Sequence, residues 1–254
     1  MHEKEGMVET ATHDEVSRGK SLVSAIAFLL FGVAVVAGVG FTLHSVSKDS
    51  QKKMYATVNG TATVDGKVLP HAFINESVWP DDQTARDNGV NRTNTHPWPF
   101  YTEEHLVLPA HSLVTMTLKV YDSGEHLNTA YFAKVVGTVG GAMTVDGQPV
   151  SSLLPTEVQH TFTLHGLPTS SQDPLFVNVP LPRVQADDKG NNIPTHDPGT
   201  KNMGHTVVFS FVTGSAGEYV WNCEYPCGDG TYANFGAVMG QNGYMSGKVS
   251  VVNG

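Results

Sequence analysis

The stretch GEYVWNCEYPCGDGTYANFGAVMGQNGYMSGKVSVVNG, from Gly217 to Gly254, constrains the fold more than any other. Two runs within it alternate with the two-residue period of half-buried strands. Tyr219, Trp221 and Cys223 share one face of the first run, and Met245, Gly247, Val249 and Val251 share one face of the second. If the runs pair antiparallel, Cys223 ends one strand and Met245 opens the other, with both sulfur atoms facing inward at one end of a sheet. Cys227, the chain's other cysteine, lies in the connecting loop. A thiolate, a second thiol and a thioether at one loop suit Cu(I), Cu(II) or Zn(II) rather than magnesium or calcium. Two cysteines four positions apart make no disulfide framework, so the pair is either a local bridge or a site.

The middle of the chain carries the same period. Val114, Met116, Leu118 and Val120 share a face; so do Val158, His160, Phe162 and Leu164, and again Val207, Phe209 and Phe211. Asp122-Ser123-Gly124 ends the first of these strands, and a long polar loop follows Pro180. With 26 Gly, 14 Pro and 15 % charged residues, the composition suits many short strands separated by turns, in an all-β sandwich or barrel. The formal charge of −9 argues against nucleic acid as a partner. Hydrolytic chemistry has no support either: there is no G-x-S-x-G elbow, no H-E-x-x-H and no Gly-rich phosphate loop.

The N-terminal part is of another kind. Residues 1–20 read as a polar tail, and Ser21 to Ser47 contain no Lys, Arg, Asp or Glu. The apolar part, Leu22 to Leu43, is 22 residues long, and about 20 span a bilayer as a helix. A cleaved signal peptide is the rival reading, but the run is long for one and follows a 20-residue polar tail. Arg18 and Lys20 on one side nearly balance Lys48, Lys52 and Lys53 on the other, so charge alone does not orient the helix. The tail is placed in the cytoplasm because the metal-ligating residues then face outward. Residues 48–101 read as a linker, with a hairpin from Met54 to Leu69 turning at Asp65-Gly66. Asn59, Asn75 and Asn91 each head an N-x-[ST] triplet.

His160 is the most informative of the 12 histidines. Its parity points the imidazole into the sandwich, where it is either a satisfied core residue or a ligand. His205 shares parity with Val207 and is the next candidate. A nitrogen donor, a thiolate and an axial thioether form the ligand chemistry of blue-copper sites.

On these residues the chain resembles the cupredoxin superfamily, and in particular the copper domain of cytochrome oxidase subunit II. EVQHTFTLHGL is similar to that family's D-V-x-H-S-F strand, GEYVWNCEYPCG to its G-x-Y-x-x-x-C-x-E-x-C-G, and GYMSGKVSVV to the close of plastocyanin-like proteins. The resemblance spans Glu104 to Val252 and implies an all-β, Greek-key cupredoxin-like β-sandwich at 102–254, preceded by a single transmembrane α-helix at 21–47. It implies copper held by His160, Cys223, Cys227 and Met245, with Met239 as a rival thioether. Three departures are plain: no histidine follows Cys227, Glu224 directly follows Cys223 one place earlier than in the family, and the connection from Cys227 to Met245 is long. The implied function is a single-pass protein of the cell membrane with its C-terminal domain outside the cytoplasm, passing single electrons in respiration. Its partners would be membrane lipid and a redox protein or oxidase catalytic subunit. The alternatives are a module that sequesters or delivers copper, and a structural subunit whose site is closed by a Cys223–Cys227 disulfide.

Overall fold

A computed structural model describes residues 26–39, 52–91, 98–122, 129–166, 173–184, 204–227, 236–241 and 243–253. The chain divides into two units, Met1–Ser50 and Gln51–Gly254. In the first, residues 26–39 form helix α1, with its large apolar side chains exposed. No helix among the described residues is long and apolar enough to cross a membrane. The tail at 1–20 and the two ends of the expected span, 21–25 and 40–47, lie outside the described residues.

The second unit is a two-sheet β-sandwich. Its strands are β1 (Lys53–Tyr55), β2 (Thr57–Val64), β3 (Lys67–Trp79), β4 (Phe100–Tyr101), β5 (His105–Pro109), β6 (Leu113–Val120) and β7 (Met143–Val145). They continue as β8 (Gln148–Val150), β9 (Val158–Gly166), β10 (Phe176–Pro182), β11 (His205–Val212), β12 (Gly217–Asn222) and β13 (Ser246–Val252). Sheet one runs β1-β5-β13-β12-β9-β10, and sheet two runs β2-β3-β6-β11-β7-β8 with β4 on β3. After the β9–β10 hairpin the chain crosses to sheet two as β11, then returns as β12 beside β9, a Greek-key return.

Alternating apolar residues build the core between the sheets. Met116, Leu118, Phe162, Phe209, Tyr219 and Trp221 are all buried there. The two terminal runs form strands, as their periodicity indicated, and pair antiparallel, with Trp221 opposite Gly247 and Tyr219 opposite Val249. Two hairpins use the same turn chemistry. Asp65-Gly66 and Asp146-Gly147 all have positive φ, the geometry of type I′ turns.

The linker assignment for 48–101 is corrected here. Its described residues supply β1 to β4 and the short helix α2 (Asp82–Asp87), capped by the Asp81 carboxylate. β3 lies inside sheet two, paired antiparallel with β2 and parallel with β6. The physical reason is that Ala72, Ile74, Glu76 and Val78 turn one face of β3 inward while Phe73 and Asn75 between them face outward.

Gly247 marks the tightest approach near the site. A Cβ there would lie 1.9 Å from the Glu104 carbonyl oxygen and 2.7 Å from Trp221 Nε1. Those two atoms are themselves bonded, Trp221 Nε1 donating to Glu104 O at 3.1 Å. Gly247→Ala is therefore expected to destabilise the β unit by about 3 kcal/mol, since neither main chain nor buried indole can yield cheaply. A lowered denaturation midpoint on tryptophan fluorescence checks this; an unchanged midpoint contradicts the packing described.

Candidate metal centre

The site forms where β9 and β12 lie side by side. Their register pairs Trp221 with Leu164 and Asn222 with Thr163. Just past the end of β12, the Thr161 N–H donates to Cys223 Sγ at 3.3 Å. The Tyr225 N–H donates to the same sulfur at 3.4 Å, and Cys223 N–H donates to the Met245 carbonyl at 2.9 Å. A turn closed by Cys227 N–H on Tyr225 O, at 2.8 Å, brings Cys227 back over Cys223. Both cysteines are free thiols, with Sγ atoms 3.6 Å apart.

His160 completes the group. Its Nδ1 lies 3.2 Å from Cys227 Sγ and 3.8 Å from Cys223 Sγ, while its Nε2 lies 2.7 Å from Asp122 Oδ2. His160 is 1 % exposed and Cys223 2 %, so these groups meet in the interior; Cys227 is half-buried. A carboxylate on Nε2 fixes the ring and leaves Nδ1 facing the sulfurs, the usual outer support of a metal-bound imidazole.

The electrostatics follow from burial and pairing. Burial opposes the imidazolium, but the hydrogen bonds and charges of Asp122 and Cys223 outweigh it and push His160 up to about 9. Burial likewise opposes a charged Cys223, yet hydrogen bonds from Cys227 and His160, with the Thr161 N–H, hold it well below the usual thiol range. Cys227, donating to Cys223 and buried beside its charge, is held well above that range. Both shifts run the same way: the pairing favours a charged imidazole and a charged Cys223 sulfur, and keeps the proton on Cys227.

The donor set can be tested for fit. A tetrahedral ion with metal–sulfur bonds of about 2.3 Å and a metal–nitrogen bond of about 2.0 Å needs an S···S edge of about 3.8 Å and N···S edges of about 3.5 Å. The structure has 3.6 Å for the first, and 3.2 and 3.8 Å for the others. The three donors therefore fit one soft ion with shifts of a few tenths of an ångström, and their chemistry suits copper or zinc.

The imidazole and both thiols expected from sequence are thus brought together. Met245 reaches the same end through its main chain and is fully buried. Met239 sits half-buried on a 3₁₀ turn, Ala237–Gly240, tied to the site by Val238 N–H on Cys227 O at 3.3 Å. His205 is corrected as the second imidazole: it lies in sheet two, with Nδ1 2.7 Å from Asp146 Oδ2. Residues 228–235 of the Cys227–Met245 connection lie outside the described residues.

Two residues escaped sequence reasoning. Asp122 follows a strand and reads as a turn former, and nothing local signals its bond to His160. Tyr101, expected in a linker, is buried at the site, its hydroxyl donating to Thr161 O at 3.2 Å and its ring 4.3 Å from Trp221. Burial, then the charge on Cys223, holds its phenol well above the usual range. At neutral pH the metal-free protein should show the ultraviolet absorption of one thiolate. Cys223→Ser should abolish that band and Cys227→Ser should keep it; the reverse pattern would contradict the assignment.

No protein-family model matches the chain, and no curated protein does. Among solved structures it is similar to auracyanin B, with TM-score 0.32 and 14 % identity over 77 % of this chain and 98 % of that one. It is also similar to rusticyanin from Thiobacillus ferrooxidans, with TM-score 0.29 and 12 % identity over 77 % of this chain and 87 % of that one.

Proposed function

We propose that the chain is a copper-binding, cupredoxin-like protein for single-electron transfer in respiration, akin to oxidase subunit II. The reading includes a single-pass anchor at 21–47 in the cell membrane and a β unit outside the cytoplasm. Membrane lipid and a redox protein or oxidase catalytic subunit are its partners. The observation that carries it is one buried imidazole held between the Asp122 carboxylate and two thiols at bonding reach.

His160 Nδ1, the sulfurs of Cys223 and Cys227 and the Met245 thioether would hold the ion. Copper there supplies a one-electron couple between Cu(I) and Cu(II). Asp122 orients the ring and raises its basicity. The Thr161 and Tyr225 N–H groups stabilise negative charge on Cys223 Sγ. Trp221, Tyr101 and Phe162 exclude water, and the flanking strands keep the donors in place in either oxidation state. A second reading, holding and delivering Cu(I), is favoured by one feature: among the described residues a single imidazole reaches the two thiols.

Loading the detergent-solubilised chain with Cu(II) separates these readings. Electron transfer predicts one copper per chain and an intense visible thiolate-to-copper band that vanishes on reduction. Tight Cu(I) binding without such a band supports delivery. Absence of copper, with neither thiol open to alkylation, supports the bridged structural subunit and overturns both. Asp122→Asn is expected to weaken copper binding about 10- to 100-fold, measured by competition with a copper chelator.

A further inference from the structure

The structure separates the N-x-[ST] triplets that the sequence marks as possible acceptors of N-linked glycans. Asn59-Gly60-Thr61 lies on β2, one of the two edge strands of sheet two. The β2–β3 register shifts between Val58 and Thr61, so Asn59 and Gly60 fall out of the regular pairing. Gly60 has φ +80°, with nothing within 4 Å of where its Cβ would stand. All three residues are exposed.

Asn75-Glu76-Ser77 is the opposite case. It lies within β3, its residues paired with Thr117, Leu118 and Lys119 of β6. Glu76 is 3 % exposed, and its carboxylate accepts from the main-chain N–H groups of Ser77, Thr102 and Glu103 at 2.6, 3.0 and 3.1 Å. A transferase that wraps the triplet around the asparagine amide would have to pull that carboxylate from its three donors. The triplet headed by Asn91 runs into residues outside the described ones.

We infer that Asn59 carries an N-linked glycan, an inference that rests on the extracytoplasmic placement of the β unit. The side-chain amide nitrogen attacks the anomeric carbon of an oligosaccharide carried on a lipid diphosphate. The carbon–oxygen bond to the diphosphate breaks, the carbon–nitrogen bond forms, the amide loses a proton and the lipid diphosphate leaves. The glycan has a physical role at this position. An outermost strand with exposed Thr57, Val58, Thr61 and Thr63 offers a template for pairing with a second chain, and a bulge bearing a sugar blocks that approach.

Tryptic digestion of the full chain purified from its own membrane puts the two described triplets on separate peptides, residues 54–67 and 68–86. The 54–67 peptide should carry a glycan mass that a glycan-releasing enzyme removes, and the 68–86 peptide should not. Asn59→Gln and Thr61→Ala should each abolish the modification and leave copper content unchanged. An unmodified 54–67 peptide, or a glycan on 68–86 alone, overturns the inference. Protease protection of the β unit in intact cells, measured alongside, tells the two failures apart. If the unit is outside and Asn59 is bare, the glycan alone is wrong; if it is inside, the membrane placement falls too.

Discussion

The site depends on β12 lying next to β9 in one register. The two strands are separated in sequence by β10 and by β11 in the opposite sheet, so their adjacency is a product of the whole fold. It sets the Thr161 N–H against Cys223 Sγ and, from the neighbouring residue, points the His160 ring at both sulfurs. A slip of one residue would turn Cys223 to the far face of the sheet. Packing opposes such a slip from the other side of β12, where Trp221 and the Glu104 carbonyl fill the space left by Gly247.

That geometry has to hold charges away from water. Ionised groups in an interior each cost several kcal/mol unless they are paired and hydrogen-bonded. Here Asp122, His160 and Cys223 alternate in sign along one line of contacts, and two main-chain N–H groups meet the sulfur. Cys227 completes the line as a neutral donor. His160 Nδ1 faces the two sulfurs, the direction in which the ring would meet a metal ion, so holding one would need little movement of the ring. The same pairing that permits burial therefore prepares the donor set.

Much of the sandwich was legible because its core strands alternate strictly. The inward faces of β6, β9, β11, β12 and β13 follow from Val114, Phe162, Phe209, Trp221 and Val249 and their neighbours at two-residue spacing. The convergence of His160 with the two cysteines was legible by parity and by family resemblance together. The start of β3 was legible as the second arm of the hairpin turning at Asp65-Gly66, but its longer part was not, because Pro70, His71 and Asn75 make it read as polar and its buried Glu76 breaks the apolar pattern. Parallel pairings such as β3 with β6 and β13 with β5 are long-range and leave no local signature. Asp122 and Tyr101 reach the site only through tertiary contacts, so nothing at the level of neighbouring residues could mark them. For α1 the described residues 26–39 agree with the helical reading of the apolar run, whose remaining positions lie beyond them.

X-ray absorption at the copper edge of the loaded full-length chain reads the donor set itself. The expected first shell has two thiolate sulfurs from Cys223 and Cys227 and one imidazole nitrogen from His160, with the Met245 thioether as a further sulfur. Loss of one sulfur is expected in Cys227→Ser and loss of the imidazole pattern in His160→Gln. A shell of nitrogen and oxygen alone, or one unaltered by both substitutions, would contradict it.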